Sequence, residues 1–200
     1  MEFAEVVRRR RMIRHYSDEP ISPDVAERIV SSALRAPSAG FSQGWAFLVL
    51  TAPEDRARFW PFVPTRVEQT PTMQLAPLVI VPMAHKATYL ERYAEADKGW
   101  EDRAEARWPA PYWFIDTGMA SLLILLTAVD EGLDACFFGI PPEQLAPFRS
   151  EFGVPDDYAP LGGITVGHRS SDTPSQPVAV DQRRRGVESV VHRGQFGMHA

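Results

Sequence analysis

Apolar residues recur at helical spacing twice near the N-terminus. The first run predicts a helix that begins at Phe3 and ends near Arg11. The second lies within residues 17–37, where Ser22 is a suitable N-cap and Pro37 ends the helix. The chain is therefore expected to open with two helices.

Short apolar runs further along predict strands that are buried in a core. The predicted strands are residues 45–52, 76–84, 133–140 and 159–168. Helices are predicted at residues 54–60, 116–131 and 141–154, with Gly132 as the C-terminal cap of the second. This mixture indicates an α+β fold in which helices pack around a sheet.

Three segments depart from a simple amphipathic pattern. Residues 116–131 are apolar almost all round, which is typical of a helix buried in a core or an interface. Residues 84–112 are rich in charged and aromatic side chains and are interpreted as a lid or an insertion. The tail from Arg169 has little to bury, so it is either disordered or lies along another surface.

Length and composition indicate one globular domain with no membrane span. The chain has 200 residues, and its longest apolar stretch, from Met119 to Val129, is too short to cross a bilayer. The N-terminus lacks the apolar core of a signal peptide, so the protein is expected to be cytoplasmic. The single cysteine, Cys136, excludes an intramolecular disulfide and is best interpreted as a small buried hydrophobe.

Arginine is concentrated at the two ends of a mildly acidic chain. The net charge is −5, yet five arginines lie between Arg8 and Arg14 and three between Arg183 and Arg185. Two local cationic sites in an acidic protein favour a small anion, whereas a nucleic-acid partner usually requires a basic domain. With the first helix ending near Arg11, Arg10 and Arg14 could lie close together.

The sequence carries no evident catalytic side-chain motif. It has no glycine-lysine phosphate loop, no dinucleotide-binding glycine pattern and no serine-hydrolase elbow, and its five histidines lack the spacing of metal ligands, so no metal site is expected. Anion sites and glycine-bearing turns without a nucleophile fit a cofactor that supplies its own reactivity.

Four motifs resemble the flavin-dependent nitroreductase family. They are RRRRMIRHYSDEPIS, ALRAPSAGFSQGWAFLVL, GMASLLILLTAVDEGLDACFFGI and RRRGVESVVHRGQF, in the order and approximate spacing of that family. The resemblance implies a single α+β domain over residues 1–200, with helices around a mostly antiparallel sheet. It also implies a variable lid-like segment at about 60–113 and an extended C-terminal arm at about 169–200. Members form intertwined homodimers that bind FMN at the subunit interface.

The resemblance also assigns candidate site residues. Arginines of the first motif resemble residues that hold the FMN phosphate, the second motif resembles a turn that reaches the partner subunit's flavin, and the third presents a backbone N–H near N5 of the ring. The cofactor-binding candidates are Arg10, Arg11, Met12, Arg14, Pro37, Ser38, Ala39, Gly40, Gln43, Phe138, Gly139, Arg183 and Arg185. The candidate walls of the substrate pocket are Phe41, Tyr112 and Trp113, for which ordinary core packing is the alternative.

Two positions differ from the family pattern. Met12 stands where the family commonly has serine, which leaves only a backbone contact to the cofactor. Gly44 replaces a frequent proline before Trp45 and is expected to loosen the turn.

The implied activity is reduction of a flat, electron-poor substrate, such as a nitroaromatic or a quinone, with NADH or NADPH through bound FMN. The same fold and cofactor leave open a flavin-dependent dehydrogenase or oxidase, a dehalogenase and a flavin-fragmenting enzyme. A protein that binds or stores flavin without catalysis is the alternative from another class.

Overall fold

A computed structural model describes residues 1–171 and 182–198 as helices around one sheet. The helices are α1 Phe3–Arg9, α2 Pro23–Ser32, α3 Pro53–Phe59, α4 Pro64–Gln69, α5 Lys86–Ala94, α6 Tyr112–Asp130 and α7 Leu145–Phe152, with a short helix Val187–Val190 near the C-terminus. The strands are β1 Trp45–Leu50, β2 Leu78–His85, β3 Asp134–Phe138, β4 Tyr158–Pro160 and β5 Gly163–Gly167.

The sheet has the order β1-β2-β5-β3, and β4 pairs with β2; every strand pairing is antiparallel. Because successive side chains of a strand point to opposite faces, β2 contributes to two separate cores. Val79 and Val81 pack with aromatic side chains of α3 and α7, whereas Leu78 and Ile80 pack with α2 and α6. The predicted α+β fold with a mostly antiparallel sheet is therefore confirmed.

Local signals of the sequence are confirmed at two helix ends. The Ser22 hydroxyl accepts a hydrogen bond from the backbone N–H of Val25 at 3.3 Å and caps α2. Gly132 follows α6 with φ of +78°, a left-handed conformation that glycine adopts without a steric penalty.

The first helix is shorter than predicted. It ends at Arg9, because Arg10 has extended backbone angles and the chain then runs along β3. Met12 forms a parallel bridge with Ala135, and the N–H of Ile13 donates to the carbonyl of Ala135 at 3.0 Å. Pairing with the sheet edge therefore overrides the helical pattern after Arg9, and the expected closeness of Arg10 and Arg14 stays a prediction.

The apolar helix predicted at 116–131 begins four residues earlier, at Tyr112. It is the one helix in the described residues that is long and apolar enough to cross a membrane by length and composition. Half of it is buried inside the protein, where it packs against α2, β2 and β3, as a core helix does.

Two other predicted elements are interrupted. The helix predicted at 141–154 is a 3-10 turn followed by α7, which ends at Phe152 and is capped by Gly153 in a left-handed conformation. The strand predicted at 159–168 is divided into β4 and β5 around Gly162. A Cβ at Gly162 would lie 2.2 Å from the carbonyl oxygen of Phe138, so only glycine permits this approach.

Residues 86–113 form α5 and an aromatic cluster, which is made of Tyr89, Tyr93, Trp100, Trp108, Tyr112 and Trp113. The neighbouring ring centroids of Tyr93 and Trp108 are 4.5 Å apart. Of the predicted C-terminal arm, residues 172–181 and 199–200 lie outside the described residues.

Candidate functional site

The arginine-rich segment lies at the edge of the sheet beside β3. The backbone N–H of Phe137 donates to the Met12 sulfur at 3.4 Å, so this side chain turns toward β3. The Met12 carbonyl accepts a hydrogen bond from Nη1 of Arg14 at 3.3 Å. Met12 therefore positions Arg14, although it lacks the hydroxyl of a serine.

Two guanidinium nitrogens in this segment are buried and have no hydrogen-bond acceptor among the residues that the structure describes. They are Nη1 of Arg10 and Nε of Arg14. A buried N–H of a charged group without an acceptor is costly, so such groups usually meet a ligand or water. An anionic ligand within reach of these side chains would supply the missing acceptors.

The turn at 38–43 has an unusual backbone conformation. Gly40, Phe41 and Gln43 all have φ values between +54° and +60°. This region is unfavourable for residues with a side chain, and Phe41 and Gln43 adopt it only because their surroundings hold them there. The Ser38 hydroxyl closes the turn by accepting the N–H of Gln43 at 3.0 Å.

A buried carboxylate anchors this turn. Oδ2 of Asp116 in α6 accepts the backbone N–H of Ala39 at 2.8 Å and the hydroxyl of Tyr89 at 2.9 Å. The Asp116 residue is only 1% exposed. The pKa of Tyr89 lies well above its ordinary value, mainly because the side chain is buried and secondly because it donates a hydrogen bond to Asp116. The hydroxyl therefore stays a donor.

Helix α5 supports the same turn from the other side. Nε of Arg92 donates to the Gly40 carbonyl at 3.0 Å, and both Nη atoms of Arg92 contact the carboxylate of Asp97 at 2.7 and 2.8 Å. A Cβ at Gly40 would lie 2.6 Å from the ring of Tyr93. The turn is therefore fixed between α5 and α6.

Steric crowding explains why position 44 is occupied by glycine. A Cβ there would lie 2.5 Å from the ring of Tyr89 and 2.7 Å from the carbonyl oxygen of His85. Gly44 is buried, and its own carbonyl accepts the N–H of His85 at 2.9 Å. Tyr89 occupies the space that a larger residue would fill, and the expected loosening of the turn stays a prediction.

The end of β3 faces a small cavity of about 90 Å³. Phe138 is buried and Gly139 is exposed. The cavity is lined by Val63, Thr65, Arg66, Gln69, Gly139 and Pro141. The backbone of Gly139 is thus accessible from a space that also contains a guanidinium group.

The three candidate wall residues occupy different environments. Phe41 is 72% exposed, whereas Trp113 is 5% exposed and packs 6.3 Å from the ring of Tyr89. Tyr112 is half-buried, with its ring 5.7 Å from that of Trp108. Phe41 is therefore open to a ligand, while Trp113 serves the core, and their assignment to a substrate pocket stays a prediction.

The predicted site residues form two separate groups in the described part of the chain. Arg10, Arg11, Met12 and Arg14 lie beside β3, while residues 37–43 lie against α5 and α6. No hydrogen bond or ion pair in the described residues joins these groups. Arg183 and Arg185 are exposed, and Nη2 of Arg185 donates to the Ser189 carbonyl at 2.5 Å.

Sequence reasoning missed Asp116, Tyr89, Arg92 and Arg66. Asp116 had a detectable signal, because it is a lone acid beside an apolar helical run and must find partners when it is buried. Tyr89, Arg92 and Arg66 had none, since their roles arise from the packing of α4 and α5 on distant parts of the chain.

A larger groove of about 650 Å³ lies beside α2 and the edge of β1. It is lined by residues such as Ile21, Val30, Val49 and Pro77, with Arg56 among them. None of the predicted site residues lines this groove, so its size does not make it the candidate site.

The antiparallel sheet, the arginine segment beside β3 and the turn fixed between α5 and α6 define an α+β protein with a candidate anion site. The model of the nitroreductase family matches residues 7–168, and the chain belongs to this family of oxidoreductases. The resemblance read from the four motifs is confirmed.

Three relatives illustrate the likeness. The Bacillus subtilis (strain 168) protein provisionally named NAD(P)H nitroreductase YdgI is 28% identical over 192 residues, covering 86% of this chain and 90% of its own. A nitrobenzene nitroreductase of Ectopseudomonas oleovorans is 24% identical over 210 residues, covering 89% and 91%. The solved structure of an FMN-dependent nitroreductase from Clostridium difficile R20291 has a TM-score of 0.68 and 22% identity, covering 96% and 98%.

Proposed function

We propose that the protein is an FMN-dependent oxidoreductase that uses NADH or NADPH to reduce a flat, electron-poor substrate. The observation that carries this proposal is the pair of buried nitrogens without an acceptor, Nη1 of Arg10 and Nε of Arg14. Guanidinium groups bind phosphate oxygens through charge-assisted hydrogen bonds, so the phosphate of FMN fits these donors. The name of the Clostridium difficile structure and those of the relatives agree with this choice.

The remaining geometry fits a flavin as well. Gly139 follows β3, the strand that the arginine segment lies along, and it is exposed with open space where a Cβ would stand, so a ring could approach its backbone closely. FMN, when bound, would supply the redox chemistry between the nicotinamide and the second substrate, so a catalytic side-chain motif would not be required.

The residues of the chain bind and orient the reactants. Arg10 and Arg14 neutralise a phosphate, and the Gly139 backbone is available to a ring edge. Phe41 presents an exposed aromatic face on which a flat substrate could stack. For a nitro compound the net reaction is ArNO₂ + NAD(P)H + H⁺ → ArNO + NAD(P)⁺ + H₂O.

We further propose a cytoplasmic homodimer in which residues 37–43 complete the site of the partner subunit. The outer face of α6 exposes Phe114, Ile115 and Leu122, each more than 40% accessible. Several exposed apolar side chains on one helix are consistent with an interaction surface. It lies on the helix whose first turns anchor residues 37–43, so covering it would bring this turn to a second subunit.

The test is anaerobic mixing of the FMN-loaded protein with NADPH or NADH while the flavin absorbance is followed, and then with nitrobenzene or a quinone. Bleaching by a nicotinamide and recovery on adding the acceptor are expected. A flavin that stays oxidised with both nicotinamides would refute the reductase proposal, and failure to bind FMN would refute the cofactor. Sedimentation of a monomer at micromolar concentration would refute the dimer.

A further inference from the structure

Arg92 forms an ion pair with Asp97 at the C-terminal end of α5. Its two Nη atoms lie 2.7 and 2.8 Å from the two carboxylate oxygens of Asp97, and Nη1 also lies 3.3 Å from the carboxylate of Glu95. The hydrogen bond from Arg92 is the main reason why the pKa of Asp97 lies below its ordinary value, so the pair is ionised at neutral pH. A forked contact of this kind fixes the plane of the guanidinium group.

This pair directs the third nitrogen of Arg92 toward the turn. Because the guanidinium group is rigid and planar, a carboxylate held at both Nη atoms fixes the direction in which the Nε–H points. Nε donates to the Gly40 carbonyl at 3.0 Å, whereas Asp97 itself has no hydrogen bond to residues 38–43 in the part of the chain that the structure describes. Asp97 therefore acts on the turn through Arg92.

The Gly40 carbonyl belongs to the peptide group that leads into Phe41. The N–H of this peptide group donates to the Ser38 carbonyl at 2.9 Å, so the group is held on both sides. A planar peptide group that is held in this way fixes ψ of Gly40 and φ of Phe41, which is +56°. The unfavourable backbone conformation of Phe41, a residue that is 72% exposed, thus depends on the contact with Arg92.

The loop that carries Asp97 is anchored to α5 by a second set of contacts. The N–H of Trp100 donates to the Tyr93 carbonyl at 2.9 Å, and the centroids of the two rings are 4.9 Å apart. The Tyr93 ring also packs against Gly40, where a Cβ would lie 2.6 Å from it. Asp97 is therefore held in place relative to the turn and can orient Arg92.

A second ion pair in the same segment provides an internal comparison. Asp102 and Arg107 are also five residues apart, and Oδ2 of Asp102 accepts from Nε and Nη2 of Arg107 at 3.1 and 2.9 Å. The two acids, Asp97 and Asp102, are similarly exposed. No hydrogen bond among the described residues joins Arg107 to the turn, so the two pairs differ in what their arginine reaches.

We propose that Asp97 is a positioning residue, which through Arg92 fixes residues 38–43 in the conformation that presents Phe41 to the flat acceptor. The affinity for the acceptor then depends on a carboxylate that has no hydrogen bond to the turn. This inference rests on the proposed function, in which Phe41 is the face on which the acceptor stacks. The alternative is a wholly structural role of the ion pair, limited to the end of α5.

The test compares wild type with Asp97→Asn, which is nearly isosteric and uncharged, and with Arg92→Lys, whose ammonium group cannot reproduce the forked contact. Asp102→Asn is the control, because it removes the same charge from the pair that does not reach the turn. Hydrogen exchange of residues 38–43, measured by mass spectrometry with FMN in excess, reports on the turn without turnover. The KM and kcat for nitrobenzene and the Tm are measured on the same proteins.

For Asp97→Asn we expect faster hydrogen exchange in residues 38–43 and a KM for nitrobenzene that rises about 2- to 5-fold, as for loss of an exposed ion pair. Arg92→Lys should raise this KM about 10-fold, because the hydrogen bond to the Gly40 carbonyl is lost as well. The kcat should change little in both variants, and Asp102→Asn should resemble wild type.

Unchanged hydrogen exchange of the turn in Asp97→Asn would overturn the proposal, as would a KM that rises equally in Asp102→Asn. A lower Tm of Asp97→Asn with unchanged exchange and KM would assign the ion pair a structural role alone. If no protein reduces an acceptor but exchange of the turn is faster in Asp97→Asn, the proposed function fails and the positioning of the turn by Asp97 stands.

Discussion

The backbone N–H of Ala39 donates a hydrogen bond of 2.8 Å to the carboxylate of Asp116, which is buried in α6. This bond joins a turn to a core helix across 77 positions of sequence. Tyr89 of α5 contacts the same carboxylate oxygen, so one buried acid links three parts of the chain. Asp116 acts here as a positioning residue for the turn.

Replacing this acid should loosen the turn and destabilise the protein. In Asp116→Ala the Ala39 N–H and the Tyr89 hydroxyl lose their acceptor, at a cost of about 1–3 kcal/mol for each buried donor. Tyr89→Phe, which removes one donor and leaves the Ala39 bond, should cost less. Urea unfolding of the three proteins measures this order, and equal stability of wild type and Asp116→Ala would contradict it.

The phosphate assignment is tested by Arg14→Ala. Loss of a charge-assisted hydrogen bond should weaken FMN binding by about 1.5–3 kcal/mol. Riboflavin lacks the phosphate, so its affinity should change much less. Quenching of flavin fluorescence measures both affinities, and Arg9→Ala, at an exposed arginine on α1, is the control. An equal loss for FMN and riboflavin would remove the phosphate from the role of Arg14.

Position 44 tests the packing below the turn. Gly44→Ala places a methyl group against the Tyr89 ring and the His85 carbonyl, at 2.5 and 2.7 Å. Overpacking of this kind typically costs about 1–3 kcal/mol, and thermal unfolding should therefore begin at a lower temperature. We also expect the Gly44→Ala variant to bind FMN more weakly, because the added methyl group would displace the turn. A variant with wild-type stability would mean that Tyr89 moves aside freely.

The thiol of Cys136 should titrate at a higher pH in the folded protein than in the unfolded chain. Burial raises the pKa of Cys136 in the folded protein, whereas a thiol in an unfolded chain has a pKa of about 8.5. The neutral thiol is favoured in the native state, so its contribution to stability is complete below the unfolded pKa and declines as the pH rises above it.

Two measurements check this thiol prediction. At about pH 8 a thiol-specific disulfide reagent should react with the urea-unfolded chain and not with the native protein. Between about pH 7 and 10 the stability of wild type should fall more steeply than that of Cys136→Ala, which lacks the titrating group. Parallel curves for the two proteins, or rapid reaction of the native thiol, would show that Cys136 is accessible.

The central strands were predictable because their short, continuous apolar runs are typical of strands that are buried on both faces. Strand β2 is buried on both faces along almost its whole length, and its continuous apolar run carries that information. The C-terminal end of α1 was not predictable from local sequence, because residues 10–14 are compatible with a helix. Their backbone is extended only because Met12 pairs with Ala135 of β3. That pairing depends on a strand more than a hundred residues away.

The candidate site was predictable only where motifs carried it. The arginine segment and the turn were found from their resemblance to a family. Helix α5 was missed because it buries fully only Tyr89 and otherwise carries polar residues, which makes its periodicity weak. The contact of Arg66 with Phe138 depends on the packing of α4, which begins at Pro64, against the end of β3. No local sequence pattern encodes this packing.

The supports of the turn come from α5 and the start of α6, outside the strands that lie beside the arginine segment. Substitutions in residues 86–116 could therefore reshape the wall of the site while the arginine segment stays on the sheet edge. The arginine segment on the sheet edge is thus structurally separate from the turn and its supports. Because Tyr89, Arg92 and Tyr93 hold the turn, substitutions at these positions would change the shape of the turn and the stability of the protein together.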